Sequence, residues 1–252
     1  MKICRVVFST NRLEYLIPTL ASHESNILTD GLDIHSILID DYPQGRYDEA
    51  IIDIGKKYNF NEVVLHPQNK GITKNWTDLW NYLKSQDFDY IWHHEDDIIF
   101  QRKVQLQTLI DVLNNDPKLC QVNLKRAPWY DWEFNEPLKN GKEERYGSYL
   151  YSKEQEFFWT MASLYPSWVL KEPIVETEGC NLGEYPVMKY FKEKYDMSMA
   201  ILKLGDGSHF IQHIGNYSQG KRVLENEPGW EKFKMYDPEK RYDSRTGYLY
   251  NK

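Results

Sequence analysis

The chain has 252 residues, long enough to bury one substantial core, and its 31 basic and 38 acidic side chains leave a net charge of −7. That balance argues against a general binder of nucleic-acid backbones and leaves only a local basic face open. Cys4, Cys120 and Cys180 are odd in number, far apart and without a CxxC pair, which suggests neither a disulfide framework nor a zinc knuckle and favours a reducing, cytoplasmic setting. The opening "MKICRVVFSTNR" has too short an apolar run for a signal segment, and nothing later approaches a membrane span.

In chain order, "ICRVVFS" is a β-branched run, followed by a loop at Thr10 to Arg12 and a helix over "EYLIPTLASH", with Pro18 a local irregularity. "IHSILID" is a second strand closing on Asp40 and Asp41, "YDEAIIDIGKKY" a short amphipathic helix, and "NEVVLHP" a third strand. In "GITKNWTDLWNYLKS", Ile72, Trp76, Leu79, Trp80 and Leu83 form one helical stripe. "FDYIWHHEDDIIF" reads as a fourth strand with polar residues toward its far end. "VQLQTLIDVLNNDP" is a helix stopped by Asn114, Asn115 and Pro117, and "LCQVNLKR" a fifth strand.

From about Ala127 the texture turns aromatic and charged, which suggests loops and antiparallel strands. "GEYPVMKYFKEKY" reads as a helix from Glu184, with Pro186 tolerated in its first turn. "MSMAILKLG" and "HFIQHIG" are late strands, and the Tyr-rich tail after Gln219 is expected to drape over the surface. Ordinary packing accounts for most of the aromatic residues; Trp129, Tyr130 and Trp132 are candidates for stacking on a sugar.

Alternation of strands and helices over the first 125 residues predicts an α/β fold with a mostly parallel sheet flanked by helices. Ligands of such sheets sit beyond the carboxyl ends of the strands. Polar residues collect there: Thr10, Asn11 and Arg12, then Asp40 and Asp41, then Glu95, Asp96 and Asp97. The last three are the most specific signal. Adjacent carboxylates raise one another's pKa unless a cation sits between them, and Mg²⁺ or Mn²⁺ held by carboxylates and substrate phosphates is the common solution. The alternative is a capping or solvated turn, which the flanking "YIW" and "IIF" disfavour. His93 and His94, just before the acids, read as packing or supporting groups rather than ligands.

Together, "VVFSTNRLEYLIPTLASH", "LIDD", "HPQNKGITKNWTDLWNYL" and "YIWHHEDDIIF" resemble the nucleotide-sugar-binding half of a GT-A fold glycosyltransferase, similar to family 2 enzymes. The resemblance implies a single GT-A domain over residues 1–252: a Rossmann-like nucleotide-sugar-binding half over 1–125, and a smaller mixed α+β acceptor-binding half with a tail over 126–252. It implies that Thr10, Asn11 and Arg12 line the nucleotide, that Asp40 and Asp41 contact the base, and that Lys70 in the "NKG" turn flanks it. Glu95, Asp96 and Asp97 stand where the family carries its DXD motif, departing from the strict pattern. Asp97 is the metal ligand of choice and Glu95 and Asp96 serve the donor. A late histidine ligates the metal in several such enzymes, and His213 occupies that place, its alternative being a strand-end histidine. Lys221 and Arg222 could meet the diphosphate.

The implied activity is metal-dependent transfer of a sugar from a nucleoside diphosphate donor, UDP-linked by expectation, to a hydroxyl of a glycan or other acceptor, with inversion. Inversion needs a carboxylate base, which the family places at a helix start in the second half; Glu184 is first choice, Glu178 second, and Glu176 is a third candidate. Each has a helix-capping or solvated alternative. The rival readings are a nucleotidyl or phosphoryl transferase, against which "FSTNRLEYL" lacks a Gly-rich phosphate loop, and a non-catalytic sugar-nucleotide or glycan-binding protein.

Overall fold

The computed structural model describes residues 1–10, 12–41, 48–68, 70–127, 143–154, 158, 160–172, 184–214, 240–242 and 249–251. Its first half follows the expected alternation: β1 (Lys2–Ser9), α1 (Leu13–Asn26), β2 (Ile27–Leu28), β3 (Asp33–Asp40), α2 (Asp48–Lys57), β4 (Glu62–Leu65), α3 (Gly71–Leu83) and β5 (Tyr90–Glu95). There follow β6 (Ile98–Phe100), β7 (Val104–Gln105), α4 (Leu106–Asn115), β8 (Leu119–Leu124) and β9 (Arg126–Ala127). The second half adds β10 (Glu143–Tyr146), β11 (Tyr149–Glu154), β12 (Ser163–Pro166), a 3₁₀ turn (Ser167–Lys171), α5 (Glu184–Tyr195), β13 (Ser198–Leu204) and β14 (Ile211–His213). In the tail, β15 (Lys240–Tyr242) and β16 (Leu249–Asn251) pair antiparallel.

Nine strands form the main sheet, in the order β10-β11-β13-β8-β12-β5-β1-β3-β4. The block β5-β1-β3-β4 is parallel throughout, as the alternation predicts. Beyond it the sheet is mixed, because β12 from the second half inserts antiparallel between β5 and β8. The fourth and fifth strands of the sequence are therefore not neighbours. The stretch read as one fourth strand also divides. β5 stops at Glu95, Asp96 and Asp97 turn, and β6 leaves to a second sheet with β14 and β9. Thr19 on α1 secures this turn, its hydroxyl donating to the Asp96 carbonyl at 2.6 Å and accepting from the Ile98 amide at 3.2 Å.

Both faces of the sheet are covered. Trp76, Leu79, Trp80 and Leu83 of the α3 stripe are buried with Phe158, Tyr165 and the apolar side of α5, while α1, α2 and α4 cover the other face. The side chain of Ile72, the first member of that stripe, lies outside the described residues. Trp76 meets Trp80 edge-on at 5.3 Å between ring centroids, so part of the aromatic content is core packing. Gly55 lets α2 approach β4 closely, since a Cβ there would meet Val63 Cγ2 at 2.4 Å. Among the described residues no helix is long and apolar enough to cross a membrane.

His23, His93 and His94 are sealed inside, and burial depresses all three, His93 to about 3. The unfolded chain protonates each near the ordinary histidine value, whereas the folded chain does not. At these three groups the unfolded state thus binds more protons below about pH 6.5, and their contribution to stability falls as pH falls through that value. Between pH 7.5 and 5.5 each histidine removes about 1.4 kcal/mol, and the three together about 4 kcal/mol. Urea unfolding across that range checks this; a flat profile would mean that the folded interior accepts the protons.

Candidate active site

The carboxyl ends of β1, β3 and β5 open on a cavity of about 110 Å³ whose lining includes Thr10, Arg12, Asp41, Asn75, Glu95 and Asp96. Glu95, Asp97 and His213 place one ligand atom each within 4.8 Å of one another. Asp96 turns to Arg12, which grips it through Nη2 on Oδ1 and Nε on Oδ2 (3.2 Å), while the Thr10 amide donates to Oδ2 at 3.3 Å.

Tertiary pairing brings His213 to the acids. β6 begins directly after Asp97 and pairs with β14, so that His213 stands opposite Ile98, and the Ile214 amide donates to the Asp97 carbonyl at 2.8 Å. Glu95 is steadied by the Thr160 hydroxyl, 2.8 Å from Oε1. Arg12 also reaches Asp97, with Nη2 3.1 Å from Oδ2. Asp97 Oδ1 is left buried without a hydrogen bond, and His213 Nε2 lies 3.4 Å away without hydrogen-bond alignment. Two ligand atoms at that separation, with a second carboxylate beside them, are what a shared cation would require.

Electrostatics separates the two aspartates. Burial raises the Asp96 carboxyl to about 6 against the pull of Arg12, with the Asp97 charge adding to the rise. Burial works on Asp97 too, but His213 and Arg12 outweigh it and hold its carboxyl well below the usual range. An O, O, N donor set of two carboxylates and an imidazole suits Mn²⁺ or Mg²⁺. The residues present fit such an ion.

Other predicted residues lie around this centre. Asp40 ends β3 and is buried, its carbonyl accepting from the His66 amide at 3.0 Å. Asp41 accepts the Lys70 amide at 2.8 Å and the Gly71 amide at 2.9 Å, fastening the start of α3, and its Oδ1 lies 3.3 Å from His66 Nδ1. Gly71 takes a positive φ of 75° there, a conformation that favours glycine. The Lys70 ammonium pairs with Asp78 at 3.0 Å. His93 and His94 point into the interior, away from the cavity lining. Glu184 is the first residue of α5. Its side chain, together with Asn11, Trp129, Tyr130, Trp132, Glu176, Glu178, Lys221 and Arg222, lies outside the described residues.

Thr19, Asn75 and Thr160 are site residues that sequence reasoning did not find. Thr160 and Thr19 act across 65 and 77 residues of chain respectively, and neither sits in a local pattern that marks it.

A sheet with a parallel block, antiparallel additions and acids at the end of β5 is the architecture of the GT-A glycosyltransferases. A family model, "Glycosyl transferase family 2", matches residues 5–171, which is 167 of the 252 residues. The chain belongs to that family, whose chemistry is the transfer of glycosyl units. Comparison with curated protein sequences gave no match. Among solved structures it is similar to TarS of S. aureus, with 14% identity, a TM-score of 0.52, and 89% of this chain aligned to 38% of that one. It is also similar to S. aureus TarS residues 1–349 in complex with UDP, with 14% identity, a TM-score of 0.51, and 89% of this chain aligned to 63% of that one. The chain thus spans less than two thirds of either, and at this identity the likeness speaks for the fold.

Proposed function

We propose that this chain transfers a sugar from a nucleoside diphosphate donor to a hydroxyl acceptor, with Glu95, Asp97 and His213 holding a divalent Mn²⁺ or Mg²⁺. The observation that carries the reading is the meeting of these three side chains, His213 lying 116 positions beyond Asp97, around an Asp97 Oδ1 that is buried without a hydrogen bond. When bound, the cation supplies charge stabilisation for the departing nucleoside diphosphate. Arg12 and Thr10 hold Asp96 toward the nucleotide side. Thr10, Asn11, Asp40, Asp41 and Lys70 are assigned to the nucleoside, and Lys221 and Arg222 to the diphosphate. UDP is our choice of nucleotide, supported by its presence in the TarS structure of like fold.

The acceptor is a glycan or other hydroxyl compound, and the reaction inverts the anomeric carbon. Glu184 opens α5 and serves as the base that takes the acceptor proton, with Glu178 the second choice. Residues 1–125 form the donor half and 126–252 the acceptor half of one GT-A unit. A cytoplasmic setting is supported by the buried free thiols of Cys4 and Cys120.

A panel of nucleotide sugars incubated with the protein and Mn²⁺ tests this, since slow hydrolysis reveals the donor without knowledge of the acceptor. UDP-sugars are expected to be cleaved only with metal present, and Glu184→Gln is expected to lose transfer while still binding UDP. UDP binding without any turnover across the panel would favour a non-catalytic binder.

A further inference from the structure

Backbone groups of alternate residues in a strand point to opposite edges. Between Asp96 and Gln101 the odd positions face β14: the Ile214 amide donates to the Asp97 carbonyl at 2.8 Å, Ile99 stands opposite Gln212, and the Gln101 amide donates to the Phe210 carbonyl at 2.8 Å. The even positions face α1. β6 is an edge strand of its sheet, so the Asp96 carbonyl, the Ile98 amide and both backbone groups of Phe100 need partners other than a strand.

Three side chains of α1 supply them. Thr19, fully buried, donates its hydroxyl to the Asp96 carbonyl at 2.6 Å and accepts from the Ile98 amide at 3.2 Å. Ser22 Oγ accepts from the Phe100 amide at 3.0 Å and donates to the Thr19 carbonyl at 2.9 Å. Asn26 Nδ2 donates to the Phe100 carbonyl at 2.7 Å and, through its second hydrogen, to the Ser22 carbonyl at 3.1 Å. Each hydroxyl gives its one proton to a carbonyl and receives an amide, so every direction in the ladder is fixed. Positions 19, 22 and 26 share one helical face, and successive rungs rise about 4.5–6 Å along the axis. That is close to the ~6.6 Å between even positions of a strand, which lets a helix follow a strand edge. A serine or asparagine inside a helix ordinarily bonds back to its own carbonyls, whereas here both also reach β6.

The segment that carries Asp97 is therefore held along both edges, by backbone on one and by helix side chains on the other. His213 stands opposite Ile98, the residue whose amide Thr19 holds. α1 also carries Arg12 at its N-cap, which grips the Asp96 carboxylate and reaches Asp97. One helix thus holds the acids by their side chains at its start and by their backbone farther along.

We propose that Thr19 is a positioning residue of the metal centre, and that its ladder with Ser22 and Asn26 sets the approach of His213 to Asp97. It acts through the backbone of Asp96 and Ile98, and its use in catalysis rests on the sugar-transfer reading above.

The test measures Mn²⁺ binding by electron paramagnetic resonance in the full chain, in Thr19→Val, which keeps the shape and removes the hydroxyl, and in Thr19→Ser, which keeps the hydroxyl. Mn²⁺ affinity is expected to fall on the order of tenfold in the valine variant, from the loss of two buried backbone partners, and to return to that of the parent in the serine variant. A hydroxyl that served stability alone would lower the melting temperature and leave Mn²⁺ affinity where it was. In parallel, without metal, the NMR signals of the His213 ring and the exchange of the Ile214 amide are expected to change in Thr19→Val and to stay in Thr19→Ser. A parent that bound no Mn²⁺ would sink the metal reading of Glu95, Asp97 and His213, and these signals would then decide the positioning role by themselves. Should Thr19→Val fail to fold, Ser22→Ala takes its place, with a loss of about threefold expected from one weaker rung. Parent-like Mn²⁺ affinity in the variant that folds, or unmoved His213 signals where the parent binds no Mn²⁺, overturns the proposal.

Discussion

Asp97→Asn is expected to lower metal-dependent glycosyl transfer by on the order of 1,000-fold while leaving the fold intact. The side chain keeps its shape, so an amide oxygen can still accept from Arg12, 3.1 Å from Oδ2 in the parent. What disappears is the negative charge beside Glu95 and His213, including that of Oδ1, which is buried without a hydrogen bond. On the proposed reading, Glu95 and His213 alone are too weak a set to retain a hard divalent cation. Turnover of the donor found in the nucleotide-sugar panel, measured across a Mn²⁺ titration, checks this, with thermal melting as the control on folding. Parent-like turnover with parent-like metal dependence would remove Asp97 from the metal site.

Arg12→Gln carries the second large effect, and it falls on stability. The Asp96 side chain is 1% exposed and its carboxylate is gripped by Arg12 at two points, with Asp97 beside it. Breaking a buried pair by removing one partner costs about 3–5 kcal/mol, because a charge is left without compensation. The cost depends on pH. Burial already raises the folded Asp96 to about 6, above its unfolded value, so the folded state binds more protons between those values and stability falls as pH rises through them. Loss of Arg12 raises the folded value further. The penalty should therefore be largest near pH 8, shrink toward pH 5, and be relieved when Asp96→Asn is added to the variant. Denaturant unfolding of the four proteins of this cycle at both pH values checks it. A loss below about 1 kcal/mol that is the same at both would show that Arg12 does not neutralise Asp96.

The roles of Glu95, Asp96 and Asp97 illustrate how far sequence could be read. Their gathering at a strand end was legible because three acids interrupt an apolar run. Their division of labour was not. The contacts that distinguish them come from the turn that ends β5, where Arg12 meets both aspartates, and from β6 leaving for another sheet to pair with β14. His213 was legible only through resemblance, since its approach to Asp97 depends on that pairing. The α3 stripe, by contrast, was complete in the sequence, because helical periodicity is local.

By itself the sequence determined the strands β1, β3, β4 and β5, their mostly parallel character, the helices between them and the collection of polar residues at their carboxyl ends. Those follow from short-range periodicity and from the tendency of alternating strands and helices to fold as parallel units. Only the tertiary structure decided the antiparallel insertion of β12, the grip of Arg12 on Asp96, the support of Glu95 by Thr160, and the hold of Thr19, Ser22 and Asn26 on β6. Each joins residues distant in the chain, and no local pattern encodes which distant partner a buried polar group meets, or whether it meets one at all.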